Sequence, residues 1–217
     1  MFVSAVSRLE ELDVSYATLT DSQLDGIFMH IIQCSDLKLK KINLAHVGQS
    51  LPLVNPNTLV SALCSVESVD LRFSSLTNIQ LISLFKGINV CKDLKLKTLA
   101  ITHFCGFELP NTILTTAVCK LENIDLTRAS LSTAQLEGLL NGIIKCQNLK
   151  LKSLYITDDN HVLYDVNPDT LALVIRKLED VDFTYHGVYE NRIIYKKKRR
   201  VRKTKFWSHK NRFPPLY

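Results

Sequence analysis

The chain has 217 residues, 46% hydrophobic and 22% charged, with a formal net charge of +6 and a mean hydropathy of +0.06, values ordinary for a folded protein. It contains no apolar run of about 18 residues, which excludes a membrane-spanning helix of the usual kind, and Met1 to Val6 has neither the basic start nor the apolar length of a secretory signal. Charge is unevenly spread: residues 187–217 hold eleven Lys or Arg against one Glu, a net +10, leaving sixteen basic and twenty acidic side chains, a net −4, on residues 1–186.

In chain order, Val3 to Leu9 matches Val60 to Val66 and reads as the end of a helix, so the chain is expected to begin inside a repeat whose first apolar layer is under-covered. At Leu9 begins a pattern, L-x-x-L-x-L, that predicts a short parallel strand. It returns at Leu39, Val66, Leu96, Leu121, Leu151 and Leu178, with spacings of 30, 27, 30, 25, 30 and 27. Long and short units therefore alternate. Its clearest copy is Leu121 to Leu131, LENIDLTRASL.

Between strands the long units predict helices opened by capping boxes at Thr20-x-x-Gln23, Thr77-x-x-Gln80 and Ser132-x-x-Gln135. Each is followed by an apolar face at helical spacing: Leu24, Ile27, Phe28 and Ile31; Leu81, Leu84, Phe85 and Ile88; Leu136, Leu139, Leu140 and Ile143. Gly26, Ser83 and Gly138 share one position, which predicts close helix approach. Short units open with Asn55-Pro56 and Asn167-Pro168, a side-chain cap followed by proline in the first turn. The unit at Leu109-Pro110 keeps only the proline.

Cys34, Cys91 and Cys146 share one repeat position and Cys64 and Cys119 another. Equivalent residues two strands apart lie about 10 Å apart, beyond disulfide reach, so these are read as buried core thiols. No C-x-x-C pair is present, and no metal site is expected.

Alternating strand-plus-helix units of this length, with Cys-x-x-Leu leading into the strand, resemble the ribonuclease-inhibitor-like class of leucine-rich repeats. The resemblance implies an α/β solenoid over residues 1–186, with a curved parallel sheet on the concave face and helices on the convex face. It also implies binding rather than catalysis, in a class that includes innate-immune sensors and ubiquitin-ligase adaptors. The chain departs from the class where Asn or Cys is usual, placing Ala17, Val47, Ser74, Phe104, Ala129, Asp159 and His186 there, so a continuous asparagine ladder is absent.

Because strand side chains alternate faces, the residues between the leucines line the concave sheet. Position two reads Glu10, Lys40, Glu67, Lys97, Glu122, Lys152, Glu179, a ladder of opposite charges that fixes register. Position five places Asp13, Asp70, Asp125 and Asp182 on alternate strands, with Tyr155 on another. Position eight supplies Tyr16, Phe73, Arg128 and Tyr185, residue types that anchor interfaces. Together these nine residues form the expected protein-binding surface.

Carboxylates two strands apart, about 10 Å by strand geometry, are too far separated to act as a glycosidase pair. No phosphate loop or nucleophile motif occurs, and no catalytic residue, cofactor or small-molecule substrate is expected. Residues 187–217 are expected to be a basic, disordered tail. Within it Lys196, Lys197, Lys198, Arg199, Arg200, Arg202 and Lys203 read as a nuclear-localisation or nucleic-acid contact, and Pro214, Pro215 and Tyr217 match a WW-domain ligand. The expected partner is a protein, with nucleic acid as a second ligand of the tail. The expected location is the cytoplasm, with the nucleus as the alternative.

Overall fold

Every strand starts two residues after the first apolar residue of its unit. The structure, a computed structural model, describes residues 6, 8–48, 50–102, 109–158, 162–186 and 191–197, with backbone alone for Asp158, Tyr164, Tyr185, His186 and 191–197. Seven strands form a parallel sheet in sequence order: β1 (Glu11–Asp13), β2 (Lys41–Asn43), β3 (Ser68–Leu71), β4 (Thr98–Ile101), β5 (Asn123–Asp125), β6 (Ser153–Asp158) and β7 (Asp180–His186). Their central residues, Leu12, Ile42, Val69, Leu99, Ile124, Leu154 and Val181, are aligned partners across every pair. None is more than 4% exposed. A slip of one residue would send all seven into solvent, which is why the register is unambiguous.

Helices alternate with these strands: α1 (Asp21–Gln33), α2 (Pro56–Cys64), α3 (Asn78–Val90), α4 (Asn111–Lys120), α5 (Thr133–Lys145), a short α6 (Val162–Asp165) and α7 (Pro168–Lys177), with a 3-10 turn at Leu51–Leu53. All three capping boxes form as expected, and Asn55 and Asn167 each accept the N–H two residues on, at 2.8 Å. The anticipated helix faces are buried and join the strand leucines in one core. Gly138 permits the close approach inferred for it, since a Cβ there would lie 2.3 Å from Asn111 Nδ2. Gly87 and Gly142 do the same one turn later, against Val60 and Thr115. Among the described residues no helix is long and apolar enough to cross a membrane.

Three expectations need correction. The under-covering of the first layer is only partial: Leu12, Leu24, Ile27, Phe28 and Ile31 are at most 4% exposed, whereas Leu9, Met29 and Ile32 of the same unit are 39, 37 and 39% exposed. Cys64 and Cys119 are buried, but Cys34, Cys91 and Cys146 are half-buried, because they are the C-caps at which the chain leaves α1, α3 and α5. Finally, residues 191–197 are not a solvated tail: they form β8 (Asn191–Lys197), antiparallel to β7, with Asp182 opposite Lys196 and Val181 opposite Lys197. A β-rich Arg-Ile-Ile-Tyr stretch satisfies the free edge of β7, and the backbone hydrogen bonds of that edge outweigh the local excess of charge.

Candidate functional site

The turn that follows each strand positions the site. The fifth residue of a unit accepts the N–H two residues on: Asp13 from Ser15, Asn43 from Ala45, Asp70 from Arg72 and Asp125 from Thr127, at 2.9 to 3.0 Å. The ninth N–H then bonds the sixth carbonyl, as from Ala17 to Val14, Val47 to Leu44, Ser74 to Leu71 and Ala129 to Leu126. These local bonds close the turns in place of an asparagine ladder. They also give the aspartate row a structural task that the sequence reading did not foresee, since a carboxylate or amide at this position caps its own turn.

Such a turn puts its third residue, the eighth of the unit, at positive φ. Tyr16, His46, Phe73 and Arg128 adopt φ of 60, 58, 57 and 56°. Gly or Asn would take this conformation at lower cost, yet all four carry large side chains. Three of them form a ladder. The rings of Tyr16 and His46 stack with centroids 4.4 Å apart and 12° between planes, and those of His46 and Phe73 at 4.4 Å and 14°. Parallel strands are about 4.8 Å apart, so equivalent side chains on consecutive strands are at stacking distance by construction. Backbone bonds hold the row, with Tyr16 N–H on Ala45 O at 3.1 Å, His46 N–H on Arg72 O at 3.0 Å and Phe73 N–H on Thr102 Oγ1 at 3.1 Å.

The ladder reaches solvent at its outer end, where Tyr16 is 72% exposed, while Phe73 is 38% exposed. His46 is half-buried, and loss of hydration pushes its imidazole below the usual 6.5; nearby Asp70 opposes that shift and Arg72 reinforces it. Asp70 and Arg72 form a two-pronged pair, with Arg72 Nε 3.0 Å from both carboxylate oxygens and a terminal nitrogen 2.6 Å from Oδ2. That pair holds the guanidinium charged, and Asp125 adds to the effect. Burial pushes the Asp125 carboxyl above its usual value, against the hydrogen bonds from Thr127 and the charge of Arg72.

Of the expected contact residues, Tyr16, Phe73, Asp13 and Asp70 thus come together at the ends of β1 and β3. Asp125 and Arg128 sit at the end of β5, two strands away, with Arg128 exposed. The Tyr155 hydroxyl donates to Asp180 at 2.8 Å, and this bond together with burial raises its pKa. Asp182 accepts from Thr184 Oγ1 at 2.5 Å. The backbone of Tyr185 lies within β7 between Asp158 and Arg192, because β6 and β7 run straight through the position where earlier units turn. It is therefore not at a turn. Lys196 and Lys197 lie in β8; Lys198, Arg199, Arg200, Arg202, Lys203, Pro214, Pro215 and Tyr217 lie outside the described residues.

His46 and Arg72 were not among the expected contacts. His46 could have been found from its place at position eight between Tyr16 and Phe73, and Arg72 from its spacing of two from Asp70 on one strand face. The charge ladder forms between paired units, Lys40 with Glu10 at 3.3 Å, Lys97 with Glu67 at 2.9 Å, and Lys152 with Glu122. Positions three, five and seven of the seven parallel strands, on the face away from the helices, carry Glu11, Asp13, Asp70, Asp125, Asp180 and Asp182 against Lys41 and Arg72, a net −4. Among the described residues no group of three His, Cys, Asp or Glu side chains is arranged to hold a metal ion. No protein-family model matches the sequence, and no curated protein matches it either.

Proposed function

We propose that the chain is a leucine-rich-repeat solenoid of the ribonuclease-inhibitor-like class and a non-catalytic scaffold that binds a protein on its concave sheet surface. The observation that carries this reading is the stacked row of Tyr16, His46 and Phe73. It is an exposed aromatic group held on a rigid backbone beside a sheet face of net negative charge. Rigid aromatic side chains lose little entropy on binding and are the commonest anchors of protein interfaces. The alternating 30- and 27-residue units support the class assignment. Affinity purification from cell extract tests the reading: partners recovered by the native chain should be lost from the Asp70→Lys, Phe73→Ala double variant that retains its circular dichroism. Unchanged recovery removes this surface from consideration.

A second reading rests on the run Lys196 to Lys205, with eight basic residues in ten. It makes the protein nuclear or nucleic-acid-associated, through contacts to phosphate that weaken steeply with salt. Deleting residues 198–217, which spares β8, should then abolish nuclear retention or salt-sensitive RNA binding. Retention of both rejects it.

A further inference from the structure

Two pairs of cysteines meet at the helix ends, each across the seam between consecutive units. Cys64 is the last residue of α2 and Cys91 caps the C-terminus of α3. Cys119 lies in the last turn of α4 and Cys146 caps α5. Members of each pair are 27 residues apart in sequence, and α2 packs on α3 as α4 packs on α5. The same backbone bond holds both places: the N–H four residues past the second cysteine donates to the carbonyl of the first, Lys95 to Cys64 O at 3.0 Å and Lys150 to Cys119 O at 3.1 Å. With the main chains fixed in this way the thiols meet, Cys64 with Cys91 and Cys119 with Cys146, each pair in side-chain hydrogen-bond contact. Cys34 shares the repeat position of Cys91 and Cys146, but its counterpart 27 residues earlier is Ser7, so the repeat supplies no second sulfur there.

We infer that Cys64 with Cys91, and Cys119 with Cys146, are two dithiol sites that oxidise to disulfides by exchange with a small-molecule disulfide of the glutathione type, stapling α2 to α3 and α4 to α5. The sites lie at the helix ends and do not rest on the proposed binding face. Cys91 and Cys146 are half-buried, whereas Cys64 and Cys119 are only 5 and 8% exposed, so the reagent meets the half-buried thiol first. Its thiolate attacks one sulfur of glutathione disulfide, a mixed disulfide forms and one glutathione thiolate leaves. The buried partner then loses its proton and attacks the protein sulfur of that mixed disulfide, expelling the second glutathione thiolate. The protein dithiol is oxidised by two electrons, glutathione disulfide is reduced by the same two, and the two protons released end on the two glutathiones. Burial holds the Cys64 and Cys119 thiols up at about 12, which keeps their thiolates scarce and makes the second step the slow one. Adjacency of the sulfurs opposes that handicap, because the step is intramolecular. Excess glutathione reverses both steps.

The full-length folded chain is equilibrated in glutathione buffers from reducing to oxidising, quenched in acid, alkylated and digested, and its linked peptides are identified by mass spectrometry. In the oxidising buffer Cys64 should be joined to Cys91 and Cys119 to Cys146, with the loss of two hydrogens per link, while Cys34 stays free or carries glutathione. The oxidised chain should unfold at a higher urea concentration than the reduced chain, because each link closes a loop in the unfolded state. Cys91→Ser should remove only the link between α2 and α3, and Cys146→Ser only the link between α4 and α5, with circular dichroism unchanged. The corresponding alanine variants replace them if the serine hydroxyl disturbs the fold.

Four cysteines that remain free thiols or separate glutathione adducts after equilibration in the oxidising buffer overturn the inference. So do links from any of the four to Cys34 or Cys105 in the folded chain, or a urea midpoint that falls on oxidation, since the bonds would then belong to a distorted chain.

Discussion

His46 is wedged between two rings, and that placement sets its titration. Its folded-state pKa lies below the usual 6.5 because burial disfavours the charged imidazolium. A group depressed in this way contributes stability that is fully present above the unfolded pKa and is lost as pH falls through the folded value. Acidification from pH 7 should therefore lower the melting temperature through this residue, and His46→Phe, which keeps a ring in the stack, should flatten that part of the pH profile. An unchanged profile would mean that the imidazole is solvated. Phe73 gives a second expectation from its φ of 57°. A left-handed backbone costs an L-residue about 1–2 kcal/mol, while one ring pair contributes about 0.5–1.5 kcal/mol. Phe73→Gly relieves the first and forfeits the second, so its urea midpoint should stay close to native. Phe73→Val loses the stack, retains the strain and should be destabilised by about 0.5–1.5 kcal/mol. The two substitutions separate the backbone role of this position from its side-chain role.

Among the helices, identical capping motifs do unequal work. Gln23 closes a capping box at an exposed helix start. Gln80 does the same for α3, but it is 1% exposed and its amide also donates to Leu51 O at 2.8 Å and Val54 O at 2.9 Å, tying the 3-10 turn of the preceding unit to its own helix. Removing it leaves two buried carbonyls unmet. Gln80→Ala should cost about 1–3 kcal/mol more than Gln23→Ala in paired urea denaturations, and equal costs would show that water reaches those carbonyls. Helix spacing offers a further test at Gly142, where a Cβ would lie 2.0 Å from Thr115 Cγ2. Gly142→Ala forces α4 and α5 apart and should destabilise by about 1–3 kcal/mol. Adding Thr115→Ser, which removes the obstructing methyl, should recover part of the loss.

At the scale of the whole molecule, each unit packs on its sequence neighbours. α2 meets α1 and α3, and each strand from β2 to β7 pairs with the one before and the one after. A core residue in the middle of such a stack supports the layers on both sides. Ile124, 1% exposed at the centre of β5, should therefore lose about 2–5 kcal/mol on substitution by alanine. Lys97→Gln, which breaks the exposed bridge to Glu67, should leave the urea midpoint nearly unchanged because solvent screens such pairs. A large loss from Lys97→Gln would mean that the charge ladder, rather than the apolar layer, holds consecutive units together.

The strand starts, the capping boxes and the buried helix faces were readable in the residues themselves, because each depends on hydrogen bonds or periodicity within a single unit. Even the parallel register follows, since only one alignment buries Leu12, Ile42 and Val69 together. Contacts between units were less accessible. Cys64, the last residue of α2, hydrogen-bonds Cys91 at the end of α3, and Cys119 does the same with Cys146; burial and this contact push the Cys64 and Cys119 thiols up to about 12. Comparing only equivalent repeat positions could not reveal either pair. Nor could composition show that the aspartates cap their own turns, that position eight takes a left-handed backbone, or that β8 covers the edge of β7. What a unit must bury follows from its own spacing of apolar residues; which side chains meet across units was decided by the roughly 4.8 Å between strands and by the direction each turn gives the next residue.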